Sequence, residues 1–534
     1  MTRSRATLRR APSRAAIAMI ALLATAGCSE SSSSSGSPRD TEITVAAIAP
    51  IKTLDVAQIE VERSIASLVT EPLERTKSDG SFTPRLATSV RVAPKKLVYD
   101  LEPSAKFSDG KPVTPEDVAF SIKRLTDPKT APVAASLLVA VKEVAATGPH
   151  QITVTSDGSD PSLRNNIAFA VRVVEKANVG ANPKDFGSAS APPIGSGPYV
   201  VSKFSTDEVV LDKNSSYWGE EPAFKTIKSK FLPDDNTARL AMRSGDLDVK
   251  FLRDVGTARQ WESVPGASLA ALPTTSIDYL SFDVAAPPFD DVHVRRAFAH
   301  AVDRKGLIDI VYGGRARPLI GMLTPEELSS ISSPKEAEEI LSGLPTYKYD
   351  LAAAKAEFAK SKYPNGFSIK VNVGSNIAYG EKTMLILQEN LKPLGIEIKI
   401  NPVSEDEWTA PLIAHKDLGM QTFSYGPLIA DPARILSLMV SSSEAVPSGQ
   451  NIANFTSKKL DSDVATLTGS PDKAQRLAAA KSILEAVAEE VPYIPLFNKE
   501  SITVTSEGFR YNTDGADYGD YSTGAWIDHI EPVS

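Results

Sequence analysis

Residues 97–125, LVYDLEPSAKFSDGKPVTPEDVAFSIKRL, leave the chain few ways to fold. Leu97, Tyr99 and Leu101 alternate with other residues at the period of a half-buried strand. Pro103 ends that run, and Asp109-Gly110 supplies a tight turn in which Gly takes positive φ cheaply. Thr114 stands where a helix N-cap belongs, with Pro115 at the first helical position. Glu116 and Asp117 then meet the free N–H groups and the positive end of the helix dipole. Val118, Ile122 and Leu125 form an inward stripe that Phe120 widens. The physics specifies a strand, a turn and a capped helix, as in any soluble α/β domain.

At 534 residues the chain is too long for one ordinary domain, so two or three are expected. Hydrophobic residues at 42% and charged residues at 23% are a globular balance. The first residues are a targeting segment: five arginines between Arg3 and Arg14 precede an apolar core, residues 15–26, of signal-peptide length. Cys28 follows at once and is the only cysteine, which excludes an intramolecular disulfide. A lone cysteine can be a reactive thiol or a buried filler. Its place after T-A-G resembles a bacterial lipobox, which implies acylation of Cys28 and removal of residues 1–27. That removal takes away five arginines and no acid, moving the net charge from −8 to −13. So acidic a protein disfavours nucleic acid as a partner. Ser29 to Pro38 cannot pack a core and reads as a tether, and two acyl chains at one cysteine suffice for stable anchoring.

No catalytic pattern emerges. The sequence has no G-x-S-x-G, no H-E-x-x-H and no paired cysteines. Of His150, His293, His300, His415 and His529, only His293 and His300 share a helix, two turns apart and too far for a chelating pair. Among 66 carboxylates, nominating a pair for acid–base work means nothing. No enzyme activity, metal or cofactor is expected.

The segment K-F-S-D-G-K-P-V-T-P-E-D-V (residues 106–118) resembles the signature of the peptide/nickel class of extracytoplasmic solute-binding proteins, solute-binding family 5, which deliver ligands to ABC importers. Further landmarks follow in family order: E-P-L-E-R at Glu71, P-R-L-A-T-S at Pro84, G-S-G-P-Y at Gly195, N-S-S-Y-W-G at Asn214, P-P-F-D-D-V-H-V-R-R-A-F-A-H-A-V-D-R at Pro287 and V-P-Y-I-P-L-F at Val491. The resemblance implies an α/β, periplasmic-binding-protein-like fold with two lobes, mixed sheets, a hinge between the lobes and an extra inserted domain. After the signal peptide (1–27) and the lipidated tether (28–40), domain I would be discontinuous (41–74, 192–285 and 503–534). Domain II would be 75–191 and domain III 286–502. Asp290 or Asp291 would cap the helix that opens the large lobe.

For the ligand, peptide-binding relatives carry a loop with an aromatic residue lining the cleft, an Asp that pairs with the peptide α-amine, and a D/E-P step. Aligned on Asp431-Pro432, Tyr425 takes the aromatic position, beside Gly426, and Leu428 stands where the amine-binding Asp would be. Asp431 itself reads as a cap or turn residue. A carboxylate beside the crossover strand, Asp278 or Asp283, is the substitute anchor, and Trp408 a second aromatic wall. Ordinary core packing is the competing reading of Trp408 and Tyr425. The site residues expected on this basis are Trp408, Tyr425, Gly426, Leu428 and Asp283. The resemblance implies a monomeric, lipid-anchored receptor for a small molecule or short peptide, working with ABC permease subunits. The alternatives are the same fold used as a surface sensor, scaffold or enzyme, or with a non-peptide ligand such as an oligosaccharide, opine or metal chelate.

Overall fold

The computed structural model describes residues 42–533, apart from 48, 59–61, 78, 159, 375–377 and 427–430. Cys28, the tether and Leu428 lie outside the described residues. Among those residues, no helix is long and apolar enough to cross a membrane.

The opening stretch forms as its pattern requires. Lys96–Leu101 is a strand with Leu97, Tyr99 and Leu101 buried. Gly110 turns at φ +89°. Pro115–Leu125 is a helix whose Thr114 hydroxyl accepts from Asp117 N at 3.2 Å while the Asp117 carboxylate accepts from Thr114 N at 3.2 Å. The other Asp117 oxygen accepts from Lys176 N at 3.0 Å, so one cap also fixes the next helix, Lys176–Ala181. Phe120 packs there against Val174, Val179 and Phe186.

The first lobe is built on a seven-stranded sheet. Its order is Ser268–Leu272, Ser501–Thr505, Val249–Phe251, Glu42–Ala47, Thr226–Phe231, Glu208–Lys213 and Tyr199–Phe204. Glu42–Ala47 runs parallel to both of its neighbours and the other pairs are antiparallel, a mixed sheet. A separate antiparallel sheet of four strands (Ala87–Ala93, Lys96–Leu101, Gln151–Ser156, Val141–Gly148) lies between the first and second strands of that lobe in sequence.

The second lobe carries the antiparallel sheet Ala316–Pro318, Tyr493–Lys499, Ile277–Phe282 and Met420–Tyr425. Beside it is a parallel pair, Phe367–Gly374 and Ile396–Val403, with the helix Ala378–Leu391 between the two strands in sequence. A parallel pair needs such a crossover, because no tight turn can reverse the chain twice. Asp291, of the two candidates, caps the helix Val292–Ala301 by accepting from His293 N at 2.9 Å. One boundary moves. The strand Ile277–Phe282, expected within domain I, is paired on both sides by second-lobe strands, so the chain changes lobe at residues 273–276.

Candidate functional site

The chain passes between the lobes twice, and the passages lie side by side. Ser268–Leu272 pairs antiparallel with Ser501–Thr505 in one sheet, and Ile277–Phe282 pairs antiparallel with Tyr493–Lys499 in the other. Only residues 273–276 and Glu500 separate the two pairings. The buried side chain of Asn498 spans them, its Nδ2 donating to the Thr274 carbonyl at 3.0 Å and the Ser276 carbonyl at 2.5 Å. The Thr274 hydroxyl donates to the Lys499 carbonyl at 2.7 Å. Arg317, paired with Glu326 at 2.6 Å, donates through Nε to Asn498 Oδ1 at 2.8 Å and fixes the amide's orientation. Few residues can absorb a lobe rotation here, and these polar contacts hold them in register.

A cavity of about 190 Å³ opens at this junction. Arg253 and Tyr518 line it from the first lobe, Gly426 and Lys499 from the second, and Thr275 and Ser276 from the crossover. The Thr275 and Tyr518 hydroxyls are hydrogen-bonded to each other. Burial pushes the Tyr518 phenol above its ordinary range, so it stays a neutral donor–acceptor. Behind Lys499, Asp278 is buried at 1% exposure. One of its oxygens accepts from the Tyr312 hydroxyl at 3.0 Å. Burial raises the pKa of this carboxyl, and the Lys499 charge opposes the rise.

Other contacts also join the lobes away from the crossovers, among them the following. The Ser162 hydroxyl donates to Asp431 Oδ2 at 2.7 Å. Asp431 caps the helix Pro432–Val440 through Ala433 N at 2.9 Å and pairs with the buried Arg476 at 2.6 Å. It is therefore a cap, and also a lobe-to-lobe acceptor. Gly80, at φ +76°, approaches Ser330 so closely that a Cβ built on it would stand 3.1 Å from the Ser330 Cβ.

The residues singled out in the sequence separate in space. Tyr425 ends the strand Met420–Tyr425 opposite Ile277, next to the crossover, half-buried, with burial raising its phenol pKa. Gly426 lines the junction cavity. Trp408, 7% exposed in the helix Glu405–Ala414, stacks on Phe423 with centroids 5.7 Å apart. With Phe423 it lines a different cavity of about 250 Å³, and its indole N–H has no hydrogen-bond partner among the described residues. Asp283 follows the other end of the Ile277–Phe282 strand, since Phe282 is opposite Met420. At about 3.3 Å per residue, Asp283 is roughly 20 Å from the Tyr425 end. There it closes a turn, accepting from Asn454 Nδ2 at 2.9 Å and Ala285 N at 3.2 Å. The structure thus brings Tyr425 and Gly426 to the crossovers and leaves Asp283 away from them. Arg253, Thr275, Lys499 and Tyr518 were not foreseen. Only the Lys following V-P-Y-I-P-L-F-N stood near a landmark that could have pointed to it.

The chain belongs to the bacterial extracellular solute-binding proteins, family 5, whose model ("family 5 Middle") matches residues 81–446. Among curated relatives, the glutathione-binding protein GsiB of Escherichia coli strain K12 is 24% identical over 477 residues, covering 87% of this chain and 90% of that protein. Among solved structures, the ABC transporter substrate-binding protein CtaP of Listeria monocytogenes superposes with a TM-score of 0.79 at 20% identity, covering 93% of this chain and all of that one. The periplasmic binding protein DppA of Helicobacter pylori, in complex with the peptide STSA, gives a TM-score of 0.71 at 20% identity over 92% of this chain and 98% of that one. The protein is therefore an extracytoplasmic solute-binding protein of the ABC transporter class with the two-lobed fold.

Proposed function

We propose that the protein is a monomeric receptor, tethered through acylated Cys28, that takes a peptide or peptide-like ligand between its lobes without altering it chemically and hands it to an importer's permease. The observation that carries this reading is the pair of adjacent crossovers with a two-lobed cavity at their junction. A ligand there touches both lobes only when they are together, so it favours the closed form by its differential affinity. Binding at micromolar strength brings about 8 kcal/mol, against roughly 5.5 kcal/mol needed to invert a two-state equilibrium from one side to the other. That one relative is named for glutathione and one neighbour holds a peptide supports a ligand with peptide bonds. Because Leu428 replaces the acid that would meet a free α-amine, unmodified di- and tripeptides are expected to bind weakly, as an uncompensated cation in a cleft costs several kcal/mol.

Calorimetry with glutathione and a panel of free and N-acetylated peptides, alongside small-angle scattering, tests both parts. A saturating ligand should shrink the radius of gyration. Submicromolar binding of short free peptides that vanishes on N-acetylation would refute the amine argument. Binding without compaction would refute closure.

A further inference from the structure

Another cavity, about 390 Å³, lies wholly within the second lobe and shares no lining residue with the junction cavity. Val302, Leu319, Ile320, Tyr347 and Val491 give it apolar walls, and Ile320 stays 43% exposed. Its size equals roughly thirteen waters at about 30 Å³ each, and falls in the range of small-molecule sites.

The polar feature of this cavity is Arg304, at the start of the helix Arg304–Tyr312. Its Nε donates to the Pro495 carbonyl at 2.8 Å and its Nη1 to the Tyr347 carbonyl at 3.0 Å, while Nη2 makes no hydrogen bond among the described residues. Among the described residues no carboxylate pairs with it, and burial alone pulls its pKa down to about 10, so it remains a cation at neutral pH. Asp303, which also lines the cavity, is engaged in capping its own helix at Gly306 N, 2.9 Å away. Lys305 and Lys348 add positive charge to the lining, Lys305 being paired with Asp309 at 2.7 Å. An arginine bonded only to uncharged oxygens can simply be scaffold, as Arg172 is, wholly buried and donating to the Ser67 hydroxyl and to the carbonyls of Ala168, Phe169 and Val171. Arg304 differs because it fronts a void with apolar walls. A desolvated charge without a counter-ion is costly, and an anion that brings its own apolar body removes that cost while filling the space.

We propose that this cavity binds an amphipathic carboxylate, its head on Arg304 and its chain or ring against Val302, Ile320, Tyr347 and Val491, independently of the ligand held between the lobes. The probes are octanoate, for an acyl source, and 4-phenylbutyrate, for an aromatic one, each against its neutral amide, titrated calorimetrically into the whole protein. At least one acid should bind at one per chain, with its amide at least about tenfold weaker, as expected when a charge-assisted hydrogen bond is lost. Which acid binds identifies the body the walls select. Arg304→Gln should abolish the preference for acid over amide. Should that variant fold poorly for want of the Pro495 and Tyr347 contacts, Ala488→Phe fills the lining and leaves Arg304 in place, and it should abolish binding. Failure of both acids to bind the wild type at millimolar concentration overturns the proposal. So does equal binding of acid and amide, or binding that survives Ala488→Phe.

Discussion

Asn498 Nδ2 donates to the carbonyl of Thr274 at 3.0 Å, joining the outgoing and returning passages between the lobes through one buried amide. Asn498→Leu keeps the branched shape and removes every donor, leaving the Thr274 and Ser276 carbonyls without it. At about 1–3 kcal/mol for each of the two buried carbonyls left unsatisfied, the variant should lose about 2–6 kcal/mol in urea unfolding. Its scattering profile should also broaden as the lobes sample more angles. An unchanged midpoint with an unchanged profile would mean that the amide is not what holds the crossovers in register.

Gly80 meets Ser330 of the other lobe with its backbone at φ +76°, whereas Gly110, at φ +89°, has nothing within 4 Å of where a Cβ would be. Alanine at either position forces a left-handed backbone on a residue with a Cβ, costing about 1–2 kcal/mol. Both variants should therefore melt earlier by a similar amount. Only Gly80→Ala should also push the lobes apart and raise the radius of gyration. Equal radii in the two variants would show that the Gly80 contact does not set how closely the lobes meet.

Glu327 is buried in the capping box of the helix Pro325–Ser329, with one carboxylate oxygen accepting from Thr324 N at 2.9 Å and the other without a partner among the described residues. Burial, aided by Glu326 and Asp431, raises its pKa to about 8. Between its unfolded value, about 4.3, and 8 the folded state binds more protons than the unfolded state, so stability falls as pH rises, by up to about 1.4 kcal/mol per unit. Glu327→Gln keeps a side chain that serves in a capping box and removes the titration. Melting curves from pH 5 to 9 should converge at the acid end, with the variant increasingly the more stable toward pH 8. Parallel curves would place the titrating group elsewhere.

Several of the landmarks that betray the family are scaffold. Glu71, Arg85 and Tyr217, drawn from three of them, form one cluster: Arg85 pairs with Glu71 and donates to the Tyr217 hydroxyl at 2.7 Å, which donates in turn to Glu71 at 2.8 Å. Gly195 has no side chain because a Cβ there would stand 2.0 Å from the Val69 carbonyl oxygen. Such requirements act through turns, caps and close approaches, and they leave short, fixed strings of residues. The junction cavity leaves none. Arg253, Thr275, Lys499 and Tyr518 meet only because two passages bring distant segments together, so no spacing in the chain records the meeting. Asp283 adjoins the crossover strand in sequence, but it follows the end of that strand that lies away from the junction.

Cys28 carries the tether in the function proposed here, and Cys28→Ala should release the protein from membranes into the soluble extracytoplasmic fraction. Fractionation with mass analysis of the N-terminus checks this. A variant that stays membrane-bound with its lipid content unaltered would refute acylation at Cys28.

The strand Ser501–Thr505 is inserted between Val249–Phe251 and Ser268–Leu272, near one end of the first lobe's sheet. Those two strands are made early, and the piece that fits between them is synthesised more than two hundred residues later. As the chain emerges, that sheet has a gap until almost the last residues arrive, while the second lobe, residues 277–499, already has all its strands. For a protein that has to work outside the cytoplasm, this order has a use. Among the described residues, Ser268–Leu272 pairs with no strand of that sheet other than Ser501–Thr505, so this edge of the first lobe stays open until residues 501–505 arrive, which suits a chain that has to cross a membrane before it closes.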